Sequence, residues 1–219
     1  MKDFNSIAIF LAARSGSRRL PNKHFLKINN KLSVIDVCIK RLKKSKRVKK
    51  IFLCTTKRKE DYKFKKVCLE NGIFFFAGST NNVLKRFIDC AKKNSIENII
   101  RITADCPLIE PKLIDRCVKI HFKKRVDYTS NILKLSYPDG LDVEIVKLKA
   151  LLKSQKICQN INNKEHVTSF IRSSKIFKKY NLKSSKDFSD RRWTLDNKQD
   201  FNFIKKIFNF FYPKIFFDW

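Results

Sequence analysis

Apolar residues in the first half of the chain form short continuous runs, separated by longer segments with helical spacing. The runs are 7–13, 50–56, 73–77 and 98–103. A strand with one solvated face alternates apolar and polar residues, so continuous runs predict strands covered on both faces. The intervening segments predict helices over 34–42, 59–70 and 83–93, the second ended by Asn71-Gly72. This alternation predicts an α/β fold with a doubly wound, mostly parallel sheet.

The pattern becomes less regular after Pro111. Helices are predicted over 112–122, 148–156, 165–171 and from 200 to about 211. Short strands are predicted near 128–131, 141–146 and 192–195. No linker rich in Pro, Gly or Ser and no internal repeat divides the chain, so we expect a single domain over 1–219 in which the second half is an insertion and closing layer.

The net charge of +30, from 50 Lys and Arg against 20 Asp and Glu, is the unusual feature of the composition. A nucleic-acid partner is the obvious inference from such a balance. The lysines are spread through nearly every segment, however, and Asn, Ile and Phe are also abundant, as an AT-rich coding bias would produce. We therefore expect no nucleic acid partner. A basic protein that binds nucleic acid or a membrane surface stays as an alternative, with 201–219 either an amphipathic membrane helix or packed on the sheet.

The cysteines and the hydropathy pattern indicate the cellular compartment of the protein. There are seven cysteines, at 38, 54, 68, 90, 106, 117 and 158, with no CxxC pair. They predict buried, reduced thiols in a cytoplasmic protein. No run of 18 apolar residues occurs and nothing resembles a signal peptide, so no membrane-spanning segment is expected.

The loop RSGSRRLPNK, Arg14–Lys23, follows the first predicted strand. Ligands in sheets of this kind bind beyond the carboxyl ends of the strands. Gly16 and Ser17 offer backbone N–H groups in a turn, and the cations are Arg14, Arg18, Arg19 and Lys23. Arg forms forked contacts with phosphate, whereas the excess elsewhere in the chain is Lys. The loop predicts a phosphate cradle, with a solvated basic loop as the alternative.

Acidic residues follow several predicted strands in a chain that has few of them. Asp105 follows strand 98–103 and is placed to hold a hard cation such as Mg²⁺. Asp196 precedes the last helix and is either a second ligand or a helix N-cap. Asp139, Asp142 and Glu144 surround Gly140. Because Asp142 and Glu144 alternate along a predicted strand, they share one face.

Six stretches together resemble the cytidylyltransferase family, which includes the enzymes that make CMP-activated sialic and ketodeoxyoctulosonic acids. They are ARSGSRRLPNK, GSTNNVLKRF, RITADCPLIEP, YPDGLDVEIV, EHVTSFIR and RRWTLDNKQDF. The branch named after spore-coat polysaccharide biosynthesis matches best, and the motifs run from Ile7 to about Tyr212 in the family's order. Two positions depart from the pattern: Asn22 replaces a Gly, which Asn tolerates because it enters left-handed conformations, and Asn82 replaces an acid.

The resemblance implies a three-layer, GT-A-like nucleotide-diphospho-sugar transferase fold, with a nucleotide-binding half over 1–110 and a sugar-binding half over 111–219. It implies a Mg²⁺-dependent nucleotidyltransferase that moves CMP from CTP to a sugar or sugar acid and releases pyrophosphate, for surface polysaccharide synthesis. The implied catalytic residues are Arg14, Lys23 and Asp105, and the implied metal ligands are Asp105 and Asp196. The implied nucleotide-binding residues are Arg14, Gly16, Ser17, Arg18, Lys23, Gly78 and Ser79. The implied sugar-binding residues are Asp142, Glu144, Glu165 and His166.

Several alternatives stay open at this point. A glycosyltransferase that uses a nucleotide-sugar donor would share the sheet. His166 is a candidate general base, although a His beside Glu165 at a helix start is as often structural. Arg172, Arg191 and Arg192 are each available to clamp a sugar carboxylate. The oligomeric state is also open, although relatives of this kind are often homodimers.

Overall fold

A seven-stranded sheet forms the centre of the computed structural model, which describes residues 6–17, 19–158 and 165–219. The strands are β1 Ile7–Ala12, β2 Ile51–Thr56, β3 Phe74–Gly78, β4 Asn98–Thr103, β5 Tyr128–Ser130, β6 Glu144–Lys147 and β7 Lys179–Asn181. Their order across the sheet is β3-β2-β1-β4-β6-β5-β7. Neighbouring strands pair in parallel except at β6, which runs antiparallel to both β4 and β5. The predicted mostly parallel α/β sheet is confirmed.

The central strands are covered on both faces. β2 is buried along its whole length and β1 along all but its last residue. Side chains of successive residues enter two separate core clusters: Ile7, Ile9 and Leu11 lie in one, Ala8 and Phe10 in the other. This burial on both faces explains why these strands appear in the sequence as continuous apolar runs.

Seven α-helices flank the sheet in the described part of the chain: α1 Val34–Leu42, α2 Lys63–Glu70, α3 Val83–Lys93, α4 Pro111–Lys124, α5 Leu148–Ile157, α6 Ser169–Ser173 and α7 Lys198–Phe210. Ser33 and Asp36 form a capping box at the start of α1. Asn82 caps α3 by accepting a hydrogen bond from the Lys85 N–H, at 2.8 Å. Asn82 replaces an acid of the family pattern, and it still caps this helix.

Several sequence predictions differ from the structure. The predicted helix 59–70 is a 3₁₀ turn, Lys59–Tyr62, followed by α2. The predicted strand 192–195 was wrong: within it, one isolated bridge pairs Arg192 with Asp139. The predicted helix 165–171 is interrupted because Val167 has a φ of 54°, and α6 begins two residues later. The half-buried edge strand β7 was not predicted, since its three residues carry no clear apolar pattern.

The C-terminal segment packs on the protein. In a third core cluster, Ile204 and Phe208 of α7 pack with Ile28 and with Val34 and Val37 of α1. Beyond α7, the Trp219 ring lies near the rings of Tyr137, Phe188 and Trp193, at centroid distances of 5.3, 5.5 and 6.4 Å. The expectation that the tail supplies core packing is confirmed for Phe208 and its neighbour Ile204, whereas Trp219 is 42% exposed.

The cysteines are reduced, and all but the half-buried Cys158 are buried. Burial raises the pKa of the Cys38, Cys68 and Cys117 thiols to about 12, so these side chains behave as small apolar groups. Across the residues that the structure describes, no helix combines the length and apolar character needed to cross a membrane.

Candidate active site

One ammonium group joins two carboxylates at the carboxyl edge of the sheet. The Lys23 Nζ donates to Asp105 Oδ2 at 3.2 Å, to Asp196 Oδ1 at 3.0 Å and to the Leu195 carbonyl at 2.7 Å. The Lys23 residue is 7% exposed, so this contact is shielded from bulk water. The structure thus brings together three predicted site residues, whose positions in the sequence span most of the chain.

The parallel register places these residues at one edge. Ala12 at the end of β1 pairs with Thr103 at the end of β4, so the loops that follow the two strands leave the sheet side by side. The first loop carries Lys23 and the second carries Asp105. The Leu195 N–H donates to the Asp105 carbonyl at 2.8 Å, which fixes Asp196 in the same place. The alternative for Asp196, a helix N-cap, was wrong: the cap of α7 is Asn197.

The two carboxylates are held in their ionised form. Burial raises the pKa of Asp105, but the Lys23 charge and the Thr103 hydroxyl outweigh it, and the pKa lies below its usual value. Burial likewise raises the pKa of Asp196, and hydrogen bonds from Lys23 and Arg192 lower it further than burial raises it. Two ionised carboxylates beside each other form a binding place for a cation.

Asp105 and Asp196 suit a hard divalent cation by their donor chemistry. Mg²⁺ takes oxygen ligands, commonly one or two protein carboxylates, with phosphate oxygens and water in the other positions. In the described ranges no three or more His, Cys, Asp and Glu side chains gather as a metal site. The residues present therefore fit a metal that is held jointly with a phosphate-bearing ligand.

The loop after β1 carries the predicted phosphate-binding residues. Arg14 is exposed and lies 3.5 Å from the Glu165 carboxylate, and Arg19 lies 3.0 Å from the Asp196 carboxylate. A methyl group added at Gly16 would meet only Arg58, at 3.8 Å, so this part of the loop is open to a ligand. The Ser17 N–H, expected to be free for phosphate, donates instead to the Ser15 carbonyl at 2.9 Å. Arg18 lies outside the described residues.

Asp61 holds the start of this loop. Its carboxylate accepts a hydrogen bond from the Ser15 N–H at 2.7 Å and another from the Thr56 hydroxyl. Burial raises the pKa of Asp61, but these hydrogen bonds lower it further, so the carboxylate stays ionised. Sequence reasoning missed this residue, because nothing in KRKEDYKF distinguishes it from a solvated charge.

The Asn22 backbone supplies the turn that brings Lys23 inward. Asn22 adopts a left-handed conformation with φ 55° and ψ 24°. Asn enters this region more readily than most residues that carry a Cβ. The expectation that Asn replaces the family's Gly at this position without loss of the turn is confirmed for the backbone.

Arg86 organises the segment that contains Gly78 and Ser79. Its guanidinium is buried and donates two hydrogen bonds to the Ser79 carbonyl, at 2.9 and 2.7 Å. A Cβ at Gly78 would lie 2.6 Å from the Arg86 side chain, so Gly is needed here for close packing. Arg86 stands within the quoted GSTNNVLKRF stretch, but its role was not predicted, since a solvated helix face contains similar cations.

Glu144, a predicted sugar contact, is buried among protein hydrogen-bond donors. The residue is 1% exposed, and its carboxylate accepts hydrogen bonds from Arg101, Tyr128 and Thr168. The role of Glu144 as a sugar contact stays a prediction, and three protein donors already bond to its two oxygens. Arg101, directly opposite Glu144 in the pairing of β4 with β6, was not among the predicted residues.

Asp142 faces the same side and has a different environment. Burial, and then the charges of Asp139 and Glu144, raise the pKa of Asp142 to about 7. Asp139 is paired with Arg192 at 2.8 Å and accepts from the Thr194 hydroxyl at 2.7 Å. In the described residues Asp142 makes neither a hydrogen bond nor an ion pair, and the Arg101 charge only partly offsets the rise in its pKa.

A close backbone contact joins the segment around Asp139 to the segment around Trp193. Asp139 exchanges hydrogen bonds with Arg191 and Trp193 through its backbone, at 2.9 and 2.7 Å. Gly140 has a φ of 105°, and a Cβ there would lie 2.7 Å from the Trp193 carbonyl carbon. Only a glycine fits this approach. The contact sets the distance between the segment with Asp142 and the segment with Asp196.

Glu165 and His166 lie on the segment just before Val167. Both are exposed, and the Glu165 carboxylate lies 3.5 Å from the Arg14 guanidinium. Val167 is buried in a left-handed conformation that a β-branched residue rarely adopts, and Thr168 then bonds to Glu144. The roles of Glu165 and His166 as sugar contacts stay predictions. Residues 159–164 lie outside the described ranges.

The comparisons with known proteins agree on one family. A cytidylyltransferase family model matches residues 8–212. The spore coat polysaccharide biosynthesis protein SpsF of Bacillus subtilis is 29% identical over 213 residues, which are 93% of this chain and 87% of SpsF. A solved cytidylyltransferase from Leptospira borgpetersenii is 31% identical with a TM-score of 0.92, covering 96% of this chain and 90% of the other.

A more distant structure has the same fold. The CMP:2-keto-3-deoxy-manno-octonic acid synthetase, solved in complex with CTP, is 12% identical with a TM-score of 0.69. The alignment covers 93% of this chain and 98% of the synthetase. At this identity the likeness concerns the fold, a mostly parallel sheet between helical layers. The family model spans nearly the whole chain, and we conclude that the protein belongs to the cytidylyltransferase family, whose members are nucleotidyltransferases.

Proposed function

We propose that the protein transfers CMP from CTP to a sugar and releases pyrophosphate, in the synthesis of a surface polysaccharide. The observation that carries the proposal is the contact of Lys23 with Asp105 and Asp196 at the carboxyl edge of the sheet. Membership of the cytidylyltransferase family supports CTP as the substrate, and the similarity to SpsF supports the polysaccharide.

The reaction would form one bond to phosphorus and break another. A sugar hydroxyl attacks the α-phosphorus of CTP, and the bond between this phosphorus and the oxygen that bridges to the β-phosphate breaks. Such reactions depend on positioning and on charge neutralisation more than on covalent help from the protein. The protein must therefore hold the triphosphate in line with the hydroxyl and neutralise the departing pyrophosphate.

The loop after β1 would hold the triphosphate. Arg14 and Arg19 offer guanidinium groups at the mouth of the site, and Lys23 offers a shielded ammonium at its floor. The space beside Gly16 lets phosphate oxygens approach the backbone. These fixed cations oppose the charge that grows on pyrophosphate as the bond breaks.

Asp105 and Asp196 would hold Mg²⁺ together with the phosphates. The bound ion supplies charge neutralisation and lowers the pKa of a hydroxyl that it contacts. Lys23 keeps the two carboxylates ionised and close together, and the backbone bond between Leu195 and Asp105 keeps their loops in register. The protein thereby orients both ligands before the substrate arrives.

The test is pyrophosphate release by the purified protein with CTP, Mg²⁺ and a panel of sugars and sugar acids, with the product identified by mass. We expect Asp105→Asn and Asp196→Asn each to lower kcat by about 100-fold or more, as loss of a main charge-stabilising group does. Asp89→Asn is the matched control, because this solvent-accessible carboxylate on α3 pairs with Lys85 and is not among the predicted site residues.

Two results would overturn the proposal. One is an unchanged rate of pyrophosphate release after Asp105→Asn. The other is binding of a nucleotide-sugar with no pyrophosphate release from any nucleotide and sugar, which would indicate a glycosyltransferase.

A further inference from the structure

The end of α7 and the tail that follows it, 211–219, expose aromatic side chains that the core does not use. They are Phe210, Phe211, Tyr212 and Phe216. Phe210 is 82% exposed and Tyr212 is 70% exposed, and none of the four belongs to the core cluster that holds α7 to α1. Neighbouring exposed aromatic residues indicate a surface that contacts an apolar or interfacial partner.

Two clefts beside these rings are lined by lysines, and no described acid lines either of them. One, of about 880 Å³, lies between segment 27–32 and the tail, and the other, of about 390 Å³, lies between α1 and the tail. Tyr212 lines the first cleft and Phe216 the second. The lysines of the two clefts are Lys27, Lys31, Lys40, Lys43, Lys44 and Lys205. We call these six lysines and the four aromatic residues the tail face.

The protein itself does not neutralise the lysines of the tail face. In the described ranges none of the six has a carboxylate within ion-pair distance, whereas Lys85 on α3 pairs with Asp89 at 2.9 Å. The acid of the tail, Asp218, is bound to Lys112 at 2.7 Å. The tail face therefore gathers positive charge, and an anionic partner would complement it.

The exposure of these groups favours an extended anionic partner over a small anion. A contact between one exposed lysine and a small anion adds little to binding, because water and salt screen it. An anionic bilayer meets several lysines at once, and each of them contributes. Its interface also accepts aromatic rings, so one partner would satisfy both the lysines and the exposed aromatic residues.

The rings are less suited to a single-stranded nucleic acid, whose bases stack on open ring faces. One face of the Phe211 ring is stacked on Phe217, with the ring centroids 4.2 Å apart. The Lys44 ammonium lies over the Phe216 ring, 4.5 Å from its centroid. A bilayer interface requires exposed apolar surface and not an open ring face, so these contacts leave binding to a membrane possible.

We propose that the tail face docks the protein on an anionic phospholipid bilayer. The lysines contact the headgroups, and Phe210 and Tyr212 enter the interface between headgroups and acyl chains. Ile204 and Phe208 keep the opposite side of α7 packed on α1, so the helix lies along the membrane surface. Docking uses none of the residues assigned to CTP or to the metal, and it does not depend on the proposed transfer reaction.

Sedimentation with vesicles tests the docking. The full chain is mixed with vesicles of phosphatidylcholine alone, or of phosphatidylcholine with about one-third phosphatidylglycerol, which is anionic. We expect at least about tenfold stronger binding to the anionic vesicles, because several lysines contribute together. This binding should weaken as the salt concentration rises, since salt screens the attraction.

Variants of the tail face locate the binding. Lys31→Gln combined with Lys205→Gln should weaken binding to the anionic vesicles about tenfold or more, because two lysines leave the charged surface. Phe210→Ser should weaken it by about the same factor, because a large apolar side chain no longer enters the interface. These side chains are exposed, and urea unfolding checks that each variant keeps the stability of the wild-type protein.

The matched controls lie on α3 and α5, which pack on the opposite face of the sheet from α1. Lys92→Gln combined with Lys93→Gln removes the same charge as the lysine pair of the tail face. Ile157→Ser removes an exposed apolar side chain, as Phe210→Ser does. Both controls should bind the anionic vesicles as the wild-type protein does.

Three results would overturn the proposal. The first is equal binding of the wild-type protein to neutral and anionic vesicles. The second is an equal loss of binding in the tail-face variants and in their controls, which would indicate an effect of net charge alone. The third is tighter binding of an unstructured single-stranded RNA than of anionic vesicles at equal phosphate concentration, lost in the same lysine variant, which would assign the tail face to nucleic acid.

Discussion

Lys23 illustrates what single residues contribute to the site. Its charge was readable from the sequence, and so was its place in a loop after a buried strand. Its three contacts were not, since they come from segments more than 80 residues away in the chain. Asn22 makes them accessible by turning the backbone through a left-handed conformation. Local chemistry could thus be predicted at this position, whereas its partners depended on the folded arrangement.

The pKa of Asp142 gives a prediction at the scale of a residue. In the native protein this pKa is raised to about 7, above the ordinary value of about 3.9 that the unfolded chain has. The native state therefore holds the proton over a range in which the unfolded state has lost it, and stability falls as pH rises from about 4 to about 7. At about 1.4 kcal/mol for each pKa unit, the loss has an upper limit of about 4 kcal/mol.

Asp142→Asn removes this titration. We expect the variant to gain stability over the wild-type protein as the pH is raised from 5 to 8, measured by urea unfolding at both values. Asp36→Asn is the control. Burial raises the Asp36 pKa, but hydrogen bonds from Ser33 lower it below its usual value, so Asp36 is ionised in both states from pH 5 to 8 and the effect of its loss should not vary. An equal effect of Asp142→Asn at both pH values would contradict the prediction.

At the scale of elements, two loop segments rather than regular strands carry the second half of the site. Segment 137–142 and segment 191–196 are joined by the backbone bonds of Asp139. Gly140 makes this contact possible through its positive φ and its lack of a side chain. The sequence marked both segments as acidic and placed them near turns, but the pairing between them has no periodic signal that could reveal it.

Gly140→Ala tests this contact. The new Cβ would lie 2.7 Å from the Trp193 carbonyl carbon, and φ 105° is unfavourable for any residue with a Cβ. We expect the free energy of unfolding to fall by about 2 kcal/mol or more, together with a loss of activity, since Asp139 and Trp193 must separate. Thermal or urea unfolding measures the first effect and pyrophosphate release the second.

The control for stability is Gly16→Ala. A Cβ at Gly16 meets only Arg58 at 3.8 Å, and its φ is not positive, so the stability of this variant should match that of the wild-type protein. If Gly140→Ala and Gly16→Ala were equally stable, the close approach at Gly140 would not matter for the fold.

The regular elements were easier to predict than the contacts between them. The bounds of α1, α3 and β4 were predicted to the residue, because long periodic segments and clear caps define them. The second half was predicted less well. β7 is short and only half-buried, and the helix expected over 165–171 is broken by Val167, whose left-handed backbone opposes the preference of its side chain.

At the scale of the whole molecule, the C-terminal tail closes the structure around the loop that bears Asp105. Arg41 is 1% exposed and donates to the carbonyls of Ile109 and Ile215 at 2.9 and 2.8 Å. It also donates to Leu108 and Phe217, at 3.4 and 3.2 Å. One buried guanidinium therefore fastens the tail and the loop after β4 to α1. The overall composition did not indicate this structural role for a buried arginine.

Arg41→Met tests this fastening. Met fills much of the same space but leaves four carbonyls without their donor, and buried polar groups without partners cost about 1–3 kcal/mol each. We expect the free energy of unfolding to fall by about 3 kcal/mol or more, measured by urea unfolding. The matched control is Lys44→Met, since Lys44 lies over the Phe216 ring at 4.5 Å but is exposed. Equal stability of the two variants would show that the Arg41 contacts do not hold the tail.

The antiparallel direction of β6 separates two tasks in the sheet. The parallel strands end at the edge that carries Lys23 and Asp105, whereas β6 runs the other way and begins there, so the residues just before it reach the same edge. Side chains within segment 131–143 can therefore change this edge of the sheet while β1, β2 and β4 keep their register, whereas the length of the segment is held by the contact of Gly140 with Trp193.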